Sequence, residues 1–127
     1  MHLEHVAINV PEPAAMAQWL VDNLEMRIVS AQKDSPYAHF IADNKGSMIE
    51  LYNNPAAPMP DYAQIDPFNL HFAFATDDID AAVKNLVDAG AELVGQINAN
   101  PLGDRLAFLR SPWQVTIQFV QRAKPML

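Results

Sequence analysis

The sequence predicts an α+β fold, two tandem βαβββ units whose curved mixed sheets enclose a cavity. Three observations lead there. Strand, helix and three strands follow one another twice along the chain. Short motifs recur at a common offset of 66 residues, His5-Val6-Ala7 with His71-Phe72-Ala73 and Leu20-Val21-Asp22 with Leu86-Val87-Asp88. Four strands also divide into a bulky apolar face and a face of small residues with one polar group each.

Leu3 to Val10 is rich in β-branched and small residues and reads as the first strand. Pro11 and Pro13 end it, and Pro13 suits the first turn of a helix. Ala14, Met16, Ala17, Leu20, Val21 and Leu24 then recur at helical spacing, so the helix runs to Leu24. Met26 to Gln32, Tyr37 to Asp43 and Ser47 to Asn53 read as strands, with Asn44, Lys45 and Gly46 turning the last pair. Pro55, Pro58, Pro60 and Pro67 mark a connection. Phe68 to Thr76 is the next strand, and Asp77 to Ala89 a helix with Asp77 as N-cap and Gly90 just past its end. Ala91 to Asn98, Asp104 to Arg110 and Gln114 to Gln121 complete the second unit. The chain thus reads as one domain over 1–127, with a first unit at about 1–54, a linker at about 55–67, a second unit at about 68–121 and a loose tail at 122–127.

Composition narrows the function. A chain of 127 residues, half of them hydrophobic, fits one domain with a real core. A net charge of -7 supplies no electrostatic footprint for nucleic acid and is repelled by anionic lipid. Cysteine is absent, which excludes disulfide and thiolate chemistry and suits a reducing compartment. The first residues lack a secretory pattern, and no apolar run approaches the roughly 20 residues that span a bilayer. The expectation is a cytoplasmic protein with neither nucleic-acid nor membrane partners.

The strand faces locate the chemistry. Val6, Ile8 and Val10 oppose His5, Ala7 and Asn9. Leu70, Phe72 and Phe74 oppose Asn69, His71, Ala73 and Ala75. Ile49 and Leu51 oppose Met48, Glu50 and Tyr52, and Val115, Ile117 and Phe119 oppose Gln114, Thr116 and Gln118. The bulky faces suit packing under the helices. The other faces leave space and carry polar groups that, once buried, need a partner or a ligand. Four such groups on equivalent strands can satisfy one another by converging on a metal ion. Phe40 aligns with Phe108. With Phe40 turned to the core, His39 joins Tyr37 and Ile41 on the cavity face, and Arg105 enters from the second unit beside Ala107 and Leu109, where it could hold an anion. Solvated surface positions for His39 and Arg105 are the competing reading. Asn9 and Asn54 fall near the site, and Trp19 and Trp113 read as packing residues.

With His5 in Leu3-Glu4-His5, Glu50 in Met48-Ile49-Glu50-Leu51 and His71 in Leu70-His71-Phe72-Ala73, the chain resembles the vicinal oxygen chelate superfamily of glyoxalases, bleomycin-resistance proteins and extradiol dioxygenases. The resemblance runs from about Leu3 to Gln121 and is closest in pattern to glyoxalase I. It implies a metal held by His5, Glu50, His71 and Gln118, one divalent ion of Zn, Ni, Co, Fe or Mn. It also implies a homodimer. Gln118 departs from the pattern, because most metal-dependent members have glutamate there. An amide oxygen binds a metal more weakly and takes up no proton at neutral pH. Glyoxalase I has an arginine in place of Asn9 to grip glutathione, so true glyoxalase I activity is not the expectation.

Three functions follow. The first is a metal-dependent lyase or isomerase for a small molecule with vicinal oxygens, in which the metal stabilises an enediolate and Glu50 moves the proton. Asn9, Tyr37, His39, Met48, Tyr52, Asn54 and Arg105 would contact the substrate. The second is a metal-free binder of the bleomycin-resistance type, with Tyr37, Met48, Tyr52 and the Met59-to-Phe68 loop supplying an apolar surface. The third is an extradiol-type dioxygenase using His5, His71 and Glu50, ranked last because that family has its carboxylate at the position of Gln118.

Overall fold

A computed structural model describes every residue from Met1 to Leu127. The chain forms two compact units, Met1–Pro60 and Asp61–Leu127. In the first, β1 (Val6–Asn9), α1 (Pro13–Asn23), β2 (Arg27–Ala31), β3 (His39–Ala42) and β4 (Met48–Tyr52) follow in order. The second opens with a short 3-10 turn at Tyr62–Gln64. It continues with β5 (Phe72–Ala75), α2 (Ile79–Asp88), β6 (Glu92–Ala99), β7 (Arg105–Arg110) and β8 (Thr116–Gln121).

Each unit builds a four-stranded mixed sheet, ordered β1-β4-β3-β2 in the first and β5-β8-β7-β6 in the second. The first strand of each pairs in parallel with the last, and the remaining pairs are antiparallel. The registers match residue for residue. Ala7 lies opposite Glu50 as Ala73 lies opposite Gln118, and Phe40 opposite Glu50 as Phe108 opposite Gln118. The outer strands β2 and β6 each carry a register shift, a feature that blunts sheet edges. Two repeated βαβββ units, expected from the element order, are therefore what the chain forms.

One helix covers one face of each sheet. Met16, Ala17 and Leu20 of α1 are fully buried with Val10, Ile41 and Leu51. In the second unit Ile79, Val83 and Leu86 of α2 are buried, as are Ala107, Leu109, Ile117 and Phe119. Each such aliphatic side chain contributes about 1.5–3 kcal/mol relative to exposure. Pro13 opens α1 as expected. The cap of α2 is Asp78, not Asp77. Its Oδ1 accepts from the Ala81 N–H at 3.0 Å, a reach that fits only a residue three positions earlier. The Ile79 N–H donates to Gln121 Oε1 at 2.9 Å, so the end of β8 caps the helix too. Gly90, at φ 102, ends α2, with the Gly90 and Ala91 N–H groups donating to Val87 and Leu86 carbonyls. That is the left-handed helix end glycine permits without strain.

The connection differs from its expected form. Its first part belongs to the first unit and its second part, from Asp61, to the second. Phe68 lies outside β5. Asp66 accepts from the Phe68 N–H through its side chain at 2.8 Å and from Asn69 through its carbonyl at 2.9 Å, so Asp66-Pro67 forms a turn and the strand starts at Phe72. The start of the tail is pinned. Asp104 Oδ1 accepts from the Ala123 N–H at 2.9 Å and Oδ2 from Arg122 at 2.9 Å.

Candidate functional site

The turns set which side chains share a face. Asp43 donates its N–H to Ser47 and accepts from Lys45 and Ser47 through Oδ1. These backbone donors hold the Asp43 carboxyl below its ordinary pKa against the opposing effect of partial burial, which is the larger single influence. Pairing outward from that turn puts Phe40 across from Glu50. Since β1 runs beside β4 with Ala7 opposite Glu50, His5 lies on the same face, diagonal to the carboxylate. The outcome is a contact of 3.3 Å between His5 Nε2 and Glu50 Oε2, with Phe40 edge-on to the imidazole at 5.3 Å. Glu50 keeps 17% of its side chain exposed and His5 30%. His5 Nδ1 is buried without a hydrogen bond, because Glu4 Oε1 stands 3.6 Å away, too far to accept.

The second unit repeats the arrangement with different chemistry. The Ser111–Gln114 turn puts Phe108 across from Gln118, and Ala73 lies opposite Gln118 on the other side. His71 is edge-on to Phe108 at 5.3 Å, and Phe68 packs on the same ring at 5.5 Å. His71 Nδ1 stands 2.7 Å from the Pro67 carbonyl oxygen. A carbonyl only accepts, so Nδ1 carries a proton, and in the neutral ring the lone pair lies on Nε2. In metal sites the orienting bond to a histidine ligand has this form.

Two expected site residues lie on the opposite face. His39 is opposite Leu51 on β4, on the side covered by α1, and is only 7% exposed. Its Nδ1 stands 2.7 Å from the Tyr37 carbonyl, so it is a hydrogen-bonded core histidine. Arg105 lies with Ala107 and Leu109 under α2, and its guanidinium makes two bonds to Asp80 of that helix at 2.7 and 3.0 Å. The Arg105 hydrogen bond holds the Asp80 carboxyl below its usual range. Both reversals have one cause. Phe40 and Phe108 point toward the histidines and not into the core, which turns their odd-numbered neighbours the other way.

The remaining expected contacts divide. Met48 and Tyr52 share Glu50's face and are half-buried. Asn9 also lies on that face, but its amide is engaged. Oδ1 accepts from the Asn54 N–H at 2.7 Å, and Nδ2 donates to the Asn54 and Ala57 carbonyls at 3.2 and 3.4 Å. Asn54 turns its own Oδ1 to the Ala56 N–H at 3.0 Å. Asn9 thus staples the loop after β4. Tyr37 lies ahead of β3 in a left-handed backbone conformation and is 46% exposed.

Chemically, the first unit offers an imidazole with a carboxylate, and the second an oriented imidazole with an amide. No group of three or more His, Cys, Asp or Glu side chains is gathered to hold a metal ion. The donors come as two pairs. The sequence reading turned Phe40 to the core and did not find the Pro67 carbonyl, although counting from the two turns puts Phe40 and Phe108 on the face of residues 50 and 118.

Each unit of the duplicated βαβββ chain thus has a histidine just before its first strand and a carboxylate or amide on its last. The sequence model of the Glyoxalase/Bleomycin resistance protein/Dioxygenase superfamily matches residues 2–119, and the chain belongs to that superfamily. Comparison with curated proteins by sequence gives no match. Solved structures share the fold. TnmS3, an antibiotic binding protein from Streptomyces sp. CB03234, is 19% identical over 97% of each chain, with a TM-score of 0.73. A glyoxalase family protein from Bacillus cereus is 19% identical over 98% of this chain and 95% of its own, with a TM-score of 0.76. A mutant of glyoxalase I from Zea mays is 21% identical over 97% of this chain, which spans 46% of the maize chain, with a TM-score of 0.75. None of the helices is long and apolar enough to cross a membrane.

Proposed function

We propose that the chain is a metal-dependent lyase or isomerase acting on a small molecule with vicinal oxygens. His5, Glu50, His71 and Gln118 would be the ligands. The observation that carries this reading is the matched register of the two pairs, together with the His71 Nδ1–Pro67 bond that leaves Nε2 as a lone-pair donor. Two imidazoles, one carboxylate and one amide oxygen suit a borderline divalent ion such as Zn, Ni, Co, Fe or Mn. Such an ion supplies Lewis-acid polarisation of the substrate oxygens. Within that set Glu50 is the one carboxylate and would be the group that moves a proton. Its carboxylate takes the proton from the carbon bearing one oxygen and returns it to the neighbouring carbon, an isomerisation with no net loss of atoms. His5 Nε2 stands 3.3 Å from that carboxylate. This reading takes the chain to be a cytoplasmic homodimer.

Titration with Ni²⁺ or Zn²⁺ alone tests it. The native protein is expected to take one equivalent per chain, and His5→Ala and His71→Ala each to lose it. Retained binding in His71→Ala, or no binding by the native chain, would refute the reading.

A second reading is a metal-free binder of an aromatic small molecule. Gln118 favours it, as do exposed apolar side chains at Tyr37, Met59 and Phe68. The antibiotic-binding neighbour supports it at the level of fold. Protein that takes up no metal after soaking with Ni, Zn, Mn or Fe(II), yet quenches Trp fluorescence on adding an aromatic ligand, would favour this reading over the first.

A further inference from the structure

We propose that Arg110 is a positioning residue for His71, acting through the segment that precedes β5. Arg110 ends β7 on the face that carries Gln118, opposite Thr116. Its guanidinium binds three main-chain carbonyls. Nη1 donates to Tyr62 at 2.7 Å and to Gln114 at 3.0 Å, and Nη2 donates to Ile65 at 2.8 Å. Two of these acceptors are 48 and 45 residues away in sequence. No salt bridge competes for the group, so its fork is spent on backbone. Arginine suits this use because its donors are rigidly splayed, whereas a lysine ammonium is a single point.

The consequence runs two residues further. Ile65 is followed by the Asp66 turn, in which Asp66 accepts from Phe68 and Asn69, and by Pro67, which restricts the backbone there. The Pro67 carbonyl then meets His71 Nδ1 at 2.7 Å. The chain of contacts is guanidinium, Ile65 carbonyl, Asp66 turn, Pro67 carbonyl, imidazole. The first unit provides an internal control, because His5 Nδ1 is buried with no hydrogen-bond partner. Of the two histidines that face Phe40 and Phe108, only His71 has a carbonyl acceptor on Nδ1. Free neutral histidine favours the proton on Nε2, so without the Pro67 carbonyl the atom that must donate its lone pair would carry hydrogen.

The value of that tautomer for metal binding rests on the metal reading above, but the tautomer itself does not. Long-range ¹H–¹⁵N spectra of the ¹⁵N-labelled full chain, without metal, report it at about pH 8, above the ordinary histidine pKa of about 6.5. Native protein should show His71 in the Nδ1–H form alone. Arg110→Met should show a mixture of both forms, and Arg110→Lys a smaller admixture. Lys84→Met, which removes an exposed pair on α2, should change nothing. Where the native chain binds Ni²⁺, Arg110→Met should weaken binding by roughly 10-fold, the scale of losing an outer partner of a ligand. A folded Arg110→Met protein that keeps a pure Nδ1–H signal overturns the proposal. So does failure of both Arg110 variants to fold, since Arg110 would then be a general stability element. A tautomer shift in a chain that binds no metal leaves the positioning role standing and removes only the metal reading.

Discussion

Replacing His39 by alanine separates a substrate-contact role from the core role its geometry gives it. The ring is 7% exposed, lies opposite Leu51 on the face covered by α1, and bonds the Tyr37 carbonyl at 2.7 Å. Losing that hydrogen bond costs about 1 kcal/mol. Unburying the ring's apolar part costs about 1–2 kcal/mol more. The expected loss is therefore about 2–3 kcal/mol. With a urea slope of about 1–3 kcal/mol per molar, the midpoint should fall by about 1 M. Trp19 lies in the first unit and Trp113 in the second, so fluorescence and circular dichroism must report one coincident transition for the comparison to hold. Metal uptake by the folded variant should match the native protein within twofold, less than about 0.4 kcal/mol. An unchanged urea midpoint combined with lost metal or ligand binding would refute the assignment of His39 to the core.

Two further outcomes follow from particular side chains. Gln118→Glu should tighten Ni²⁺ or Zn²⁺ binding at least about tenfold, or 1.4 kcal/mol, because a carboxylate replaces a weakly donating amide oxygen; calorimetry showing equal or weaker affinity would place residue 118 outside the ligand set. Asp104 is held below the ordinary carboxyl pKa first by the Ala123 N–H, then by Asn100 and Arg122. A lowered folded pKa adds stability that is full above the unfolded value of about 3.9 and is lost as pH falls through the folded value. The tail amide of Ala123 should therefore lose exchange protection below about pH 4, and Asp104→Asn should abolish that pH step; protection unaltered by acid would contradict the anchoring role.

The legible and illegible parts of the sequence differ by a physical rule. Element order, the duplication and the parity of β1, β4, β5 and β8 follow from periodicity and from motifs that repeat locally. The parity of β3 and β7 does not follow from apolarity, because Phe40 and Ile41 are both apolar neighbours. Only the turn decides, and outward pairing from Asp43–Ser47 and from Ser111–Val115 brings both phenylalanines across from residues 50 and 118. That one choice moved His39 and Arg105 to the wrong face. Asn9 and Arg110 were opaque for another reason. Apart from the Gln114 carbonyl, their partners lie 45 to 48 residues away and are main-chain carbonyls and amides, which carry no residue-specific signal.

Duplication left the same scaffold in both units and let the donors diverge. In the first, Glu50 Oε2 stands 3.3 Å from His5 Nε2, while His5 Nδ1 has no hydrogen-bond partner. In the second, Gln118 cannot ionise and His71 is held in one tautomer by the Pro67 carbonyl, so the pair can only hold an orientation. A symmetric pair of sites would duplicate one role. Under the proposed metal reading the two pairs would take different roles, proton movement at Glu50 and fixed ligation at His71 and Gln118. Transplanting the carboxylate by combining Glu50→Gln with Gln118→Glu keeps the donor count constant. If Glu50 is the base, metal affinity survives that exchange and turnover falls, because the carboxylate no longer stands where it meets the substrate carbon; unchanged turnover would refute the assignment.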